Sequence, residues 1–297
     1  MGAPGIIQHN PQEDCEPPLH AEYPVFKQEG LKISPQQLIG KPTIGGGFIR
    51  RVEIRRDQVE DAGSYPFNLP AISELEPLEL NPAVTFFVGE NGSGKSTLLE
   101  AIAVAAGFNP EGGSRNIRFA ARPTESPLHD ALKVVRNPWR EKDGYFMRAE
   151  ALFNLATQLE SYERDQPGLL ASSYGGRSLH EQSHGESFFA LFTNRFGGAG
   201  LYLIDEPEAA LSPSRQLAFL IVLDQLVRRR SQIIIATHSP ILLAFPTATI
   251  YEFSDQGVRE IPYRETEAYS VYFEFLRAPD EFIRQLLRAD GGRDAGE

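Results

Sequence analysis

Cysteine is almost absent: Cys15 is the only one in 297 residues, so an internal disulfide is excluded and the chain suits a reducing compartment. Long apolar runs are absent too. The strongest, Leu217 to Leu223, falls well short of the roughly 18 residues that cross a bilayer. Met1 to Pro18 lack a basic segment followed by an apolar one, the mark of a signal peptide. The expected location is therefore cytoplasmic, and any membrane role would need a second chain. Heptads and internal repeats are missing, which excludes a coiled-coil tether and a solenoid. Positive charge is in deficit: 29 Lys and Arg against 40 Asp and Glu give a net charge of −11. That excludes a surface that binds nucleic acid everywhere, while a local basic face stays compatible. Arg50, Arg51, Arg55 and Arg56 form one cluster and Arg228, Arg229 and Arg230 another. Both read first as solvated residues, at a strand edge and a helix C-terminus.

What is present is a folded chain long enough to bury a substantial core. Residues 1–45 are rich in Pro, Gly, Gln and charge and read as an extended or partly disordered arm. Residues 46–290 are expected to form the domain, and 291–297 a frayed tail. Strands are expected at 48–54, around 78–80, at 83–88, 145–149, 200–204, 232–236, 249–253 and 257–262. Helices are expected at 97–106, 151–162, 185–196, 213–230, from Pro240, and over 267–289. Residues 107–143 read as an irregular insertion. Strands alternating with helices imply an α/β fold around a mostly parallel central sheet.

The densest chemistry lies at Gly89-Glu90-Asn91-Gly92-Ser93-Gly94-Lys95-Ser96-Thr97. The spacing G-x-x-x-x-G-K-[ST] between a strand and a helix is that of a phosphate-binding loop. The glycines let backbone amides point at an anion, Lys95 can reach β- and γ-phosphates, and Ser96 can ligate Mg²⁺. An apolar strand then ends in Asp205 and Glu206. One carboxylate can hold Mg²⁺ opposite Ser96, and the next can deprotonate a water that attacks the γ-phosphate. A third strand ends at His238, whose imidazole can sense a terminal phosphate or, alternatively, cap the helix from Pro240. Ser183-His184-Gly185-Glu186 stands at an expected helix start, a second anion-binding device or an ordinary cap.

This order of motifs resembles the ABC-type ATPases. It is most similar to small stand-alone, AAA-annotated predicted ATPases related to the SMC and DNA-repair branch. The resemblance implies a P-loop NTPase fold, an ABC-type head with a mostly parallel central sheet. An antiparallel β part and a small helical subdomain, about 107–197, would complete it. It implies ATP and Mg²⁺ as cofactors, with Ser96 and Asp205 on the metal, Glu206 as general base and His238 as γ-phosphate switch. Ser183 and Gly185 would contact ATP across a head-to-tail homodimer, with Ala209 to Ser212 joining the two sites. His184 and Glu186 depart from the usual Ser-Gly-Gly-Gln signature, which points away from transporters. Glu150 stands where the family carries a Gln, and Tyr65 is either an adenine platform or a surface-loop tyrosine. The expected activity is ATP hydrolysis that drives or gates a protein partner or a nucleic-acid transaction. The alternatives are the nucleotide-binding subunit of a membrane transporter and a slow, ATP-sensing regulatory or defence-system module.

Overall fold

The computed structural model describes residues 47–115, 126–148 and 196–291. The N-terminal arm, the 151–162 and 185–196 helices, Glu150 and the Ser183–Glu186 element lie outside the described residues, apart from Phe196.

Two sheets organise the described chain. The smaller is antiparallel and joins β1 (Ile49–Ile54), β2 (Leu78–Glu79) and β5 (Leu132–Arg136) in the order β2-β1-β5. The larger holds β3 (Val84–Gly89), β4 (Gly113–Ser114), β6 (Asp143–Arg148), β7 (Gly200–Asp205), β8 (Gln232–Ala236), β9 (Thr249–Ser254) and β10 (Gly257–Glu260). Its order is β10-β9-β3-β8-β7-β6-β4. The five inner strands run parallel, and only the edges β10 and β4 are antiparallel.

Both faces of the large sheet are covered, which is why its strands read as continuous apolar runs rather than alternating ones. Tyr202, Ile204, Ile233 and Ile235 face one way, against Phe219, Leu223 and Leu226 of α4 (Pro213–Arg228). Their neighbours Leu201, Leu203, Ile234 and Ala236 face the other way, against Leu98, Leu99 and Ile102 of α2 (Lys95–Ala105). Burying each Leu or Ile contributes about 2 kcal/mol. Beyond α2 the small sheet closes the same core with Ile49, Val52, Leu78 and Leu132.

Gln232 ties the sheets together at the start of β8. Its Oε1 accepts from Phe48 N–H at 2.7 Å and Ile49 N–H at 2.8 Å. Its Nε2 donates to the carbonyls of Ile49 at 2.7 Å and Asn81 at 3.1 Å. A fully buried polar side chain is thereby satisfied on both ends.

The structure differs from the sequence expectations in three places. Residues 132–136, within the expected irregular insertion, form β5 and pair with β1 across five positions. Only the four-residue helix α3 (Leu128–Ala131) interrupts the strands described between 113 and 148. Among the described residues this part holds β4, β5 and β6 and one short helix. The described chain also has a short helix α1 (Pro70–Ser73), which Pro70 starts at its first position. The C-terminal helical stretch is two helices, α6 (Glu267–Arg277) and α7 (Pro279–Gly291), because the residue before a proline leaves the helical region. Between them and β8 lies the one-turn helix α5 (Pro240–Leu243).

Several of the clustered arginines have partners within the fold. Arg51 pairs with Glu53 and Glu79, Arg56 donates to the carbonyls of Ile72 and Leu75, and Arg228 pairs with Asp224.

Candidate nucleotide site at the ends of the parallel strands

The loop after β3 leads into α2 through Gly94, which sits at φ 101° and caps the helix without a side chain. The first amides of α2 are therefore free to meet an anion, and the helix dipole favours one there. Gly89, at φ 140°, is held for a further reason. A Cβ added to it would come within 2.2 Å of the Phe253 carbonyl oxygen on β9.

Lys95 is buried and folds back over the loop, donating to the carbonyls of Gly89 at 2.8 Å and Glu90 at 2.7 Å. Burial pulls its pKa below the ordinary lysine value, against the attraction of Glu206, Asp205 and Glu208. The Ser96 hydroxyl donates to Asp205 Oδ1 at 2.8 Å. Sheet order makes this pairing possible across a large sequence distance. β8 lies between β3 and β7, and the ends of all three converge on one edge.

Asp205 is buried, and desolvation lifts its carboxyl pKa to about 6. The Ser96 hydrogen bond and the Arg148 charge oppose that rise, while Glu206 and Glu208 add to it. Arg148 reaches this position because β6 runs parallel to β7 with Arg148 opposite Asp205. Glu100, on α2, holds it at 2.7 Å.

Glu206 adopts the left-handed backbone conformation at φ 47°, where β7 breaks into a short 3₁₀ turn over Pro207–Ala209. Its amide still donates to Ala236 O at 2.9 Å, so the turn is anchored to the end of β8. A non-glycine residue in this region is uncommon and marks a constrained turn. His238 Nε2 lies 4.0 Å from Glu206 Oε1. That nitrogen is buried and has no hydrogen-bond partner among the described residues. Glu90, Asn91, Glu206, Glu208, Ala209, His238 and Glu267 line a cleft of about 630 Å³ here.

The structure thus brings together Gly89 to Thr97, Asp205, Glu206 and His238, which the sequence spreads over three separate stretches. Tyr65 also lies at the loop: its hydroxyl is 2.8 Å from Thr97 Oγ1 and its ring is 60 % exposed. The sequence reading missed Glu208. Its Oε2 accepts from the Thr237 hydroxyl at 2.7 Å and its Oε1 from the His238 amide at 2.5 Å. The signal was a second acid two residues past Glu206, but its partners lie about thirty residues away.

A glycine-rich loop under a helix N-terminus, facing a buried carboxylate on a parallel sheet, defines a P-loop nucleotide-binding domain. Two family models then match the chain. Residues 59–164, which include the loop, match an AAA domain. Residues 167–244, which include Asp205, Glu206 and His238, match "AAA domain, putative AbiEii toxin, Type IV TA system". Both stretches thus resemble AAA domains, in keeping with the ABC-type resemblance. No curated protein matches the chain. Solved structures that do include the SMC head domain from Thermotoga maritima, at 15% identity and TM-score 0.35, over 63% of this chain and 92% of that one. An SMC head bound to the C-terminal winged-helix domain of ScpA matches at 14% identity and TM-score 0.35, over 62% and 92%. An ATP-binding subunit of an ABC transporter matches at 17% identity and TM-score 0.38, over 67% and 92%. These overlaps are loose, and the fold stands on its own sheet order. No helix among the described residues is long and apolar enough to cross a membrane.

Proposed function

We propose that this protein binds and hydrolyses ATP, and that ATP binding closes two copies head to tail. The observation that carries the reading is the Ser96–Asp205 hydrogen bond, with Lys95, Glu206 and His238 gathered around it. The loop amides and Lys95 would cradle the phosphates, and Lys95 would exchange its bonds to Gly89 O and Glu90 O for phosphate oxygens. The cleft wall is acidic, with Glu90, Glu206, Glu208 and Glu267. Such a wall repels a nucleotide anion unless a cation comes with it. Ser96 and Asp205 fit Mg²⁺: hydroxyl and carboxylate oxygens suit a hard cation, and they already meet at 2.8 Å. The ion would neutralise charge on the phosphates.

In hydrolysis a water attacks the γ-phosphorus, the bond to the β-phosphate oxygen breaks, and ADP and inorganic phosphate leave. Glu206 is exposed enough to meet that water and takes its proton. His238 Nε2, unpartnered among the described residues and 4.0 Å from Glu206, fits a contact to the γ-phosphate. Ser183 and Gly185 of a second copy would close the other side, and the cycle of closure and release would drive a protein partner or a nucleic-acid transaction.

The Glu206→Gln variant tests this. It should bind Mg-ATP, lose turnover and run as a dimer by light scattering with saturating nucleotide. A variant that stays monomeric under those conditions would remove the head-to-tail mechanism. The toxin named in the family description over 167–244 supports keeping one alternative, a slow-hydrolysing ATP-sensing regulatory or defence-system module. Single-turnover hydrolysis with and without DNA separates the two. A DNA-stimulated rate that falls steeply with salt supports the nucleic-acid transaction.

A further inference from the structure

We propose that Glu208 is a positioning residue that holds His238 against Glu206 for the attack on the γ-phosphate; this rests on the ATPase reading above. Its two carboxylate oxygens serve different partners on the loop after β8. Oε1 takes the His238 amide at 2.5 Å and Oε2 takes the Thr237 hydroxyl at 2.7 Å. The Thr237 hydroxyl, which donates to Glu208, also accepts from the Ser239 amide at 3.0 Å. Three consecutive residues are thereby fixed by one side chain.

The other end of Glu208 is equally constrained. It belongs to the 3₁₀ turn that carries Glu206, closed by Ala209 N–H to Glu206 O at 3.1 Å and Leu211 N–H to Glu208 O at 3.3 Å. The proposed base and the proposed phosphate sensor, 4.0 Å apart, thus hang from the two ends of one hydrogen-bonded strut. A second link runs in parallel. Buried Gln216 donates to Leu211 O at 2.9 Å and accepts from Ser239 Oγ at 2.5 Å. It joins the end of the Glu206 turn to the start of α5, so the scaffold survives loss of Glu208 while the setting of His238 does not.

A carboxylate accepts from both partners at once. An amide keeps one acceptor oxygen without the charge assistance and meets the Thr237 hydroxyl only by donating to it. Bonds of this charge-assisted kind are short and about twice as strong as neutral ones. Misplacing a reacting group by about 1 Å can cost a factor of about 10² in rate.

The test is a double-mutant cycle of Glu208→Gln with His238→Ala, with ATP affinity and melting temperature measured alongside turnover. Glu208→Gln should lower kcat by about 10- to 100-fold with ATP affinity within about twofold of wild type. In the His238→Ala background it should lower kcat less than about twofold, since the two act as a unit. Thr237→Val, which removes one of the two anchors, should give a smaller fall in the same direction. The amide proton of His238, followed by NMR without nucleotide, should lie far downfield in the wild type and move upfield in Glu208→Gln. An unchanged His238 amide overturns the proposal, whether or not the protein hydrolyses ATP. So does an equal fold-loss from Glu208→Gln in both backgrounds. A wild type that shows the amide shift but never turns over ATP would sink the ATPase reading and leave the strut standing.

Discussion

Burial gives Asp205 a stability cost, and replacing it with Asn makes that cost measurable. Burial lifts its carboxyl from 3.8 to about 6 in the native state. The sign follows from proton counting. Below pH 3.8 the group is protonated in both native and unfolded chains. Between 3.8 and about 6 the native form holds more protons than the unfolded one, so stability falls as pH rises. Above about pH 6 the whole cost is present. Each tenfold change in proton affinity corresponds to about 1.4 kcal/mol, which sets a ceiling of about 3 kcal/mol on the cost. The asparagine side chain would keep an oxygen for the Ser96 hydroxyl but leave an N–H₂ group near Arg148, so we expect about 1–3 kcal/mol of net gain. At about 2–4 °C per kcal/mol, the Asp205→Asn protein should melt about 2–12 °C above wild type at about pH 8. The gap should close near pH 4, about where the unfolded chain takes up its proton. Calorimetry in EDTA without nucleotide reads this, and turnover with Mg-ATP should be lost in the same variant. A variant that melts at or below wild type at the alkaline pH, with unchanged secondary structure, would refute the reasoning. It would mean that Asp205 is effectively solvated, or that Arg148 and Ser96 outweigh its burial.

Two further substitutions probe the frame. Gly89→Ala should abolish nucleotide binding and cost at least about 2 kcal/mol. Its Cβ would meet the Phe253 carbonyl at 2.2 Å on a backbone at φ 140°, which an L side chain adopts only under strain; a fluorescent ATP analogue and urea denaturation check both. Gln232→Leu should lower stability by about 2–4 kcal/mol in urea while leaving ATP affinity within a few-fold. It strands the Phe48 and Ile49 amides in the core, far along β8 from the loop.

The loop at 89–97 was legible because each position answers a separate local demand: glycine where φ is positive, lysine and serine where phosphate and metal would sit. β7 and β8 were legible because a parallel strand covered on both faces must be apolar throughout. β5 was hidden for the opposite reason. Leu132-Lys133-Val134-Val135-Arg136 buries only Leu132 fully, and its strand character comes from pairing with β1, including the Lys133–Glu53 ion pair. The site followed the same division. Ser96 was singled out by the loop motif, and Asp205, Glu206 and His238 by residue type at or just past strand ends, which local pattern marks. Arg148 and Glu208 were not. Arg148 matters through the β6–β7 register that sets it opposite Asp205, and Glu208 through two bonds to the loop after β8. Residues proposed to touch phosphates must be of a particular type and so leave a motif. Those that hold them in place need only the right distance, which appears once β8 is inserted between β3 and β7. The strut from Glu208 to His238 is accordingly where a comparison of rates, rather than of sequences, decides what the site does.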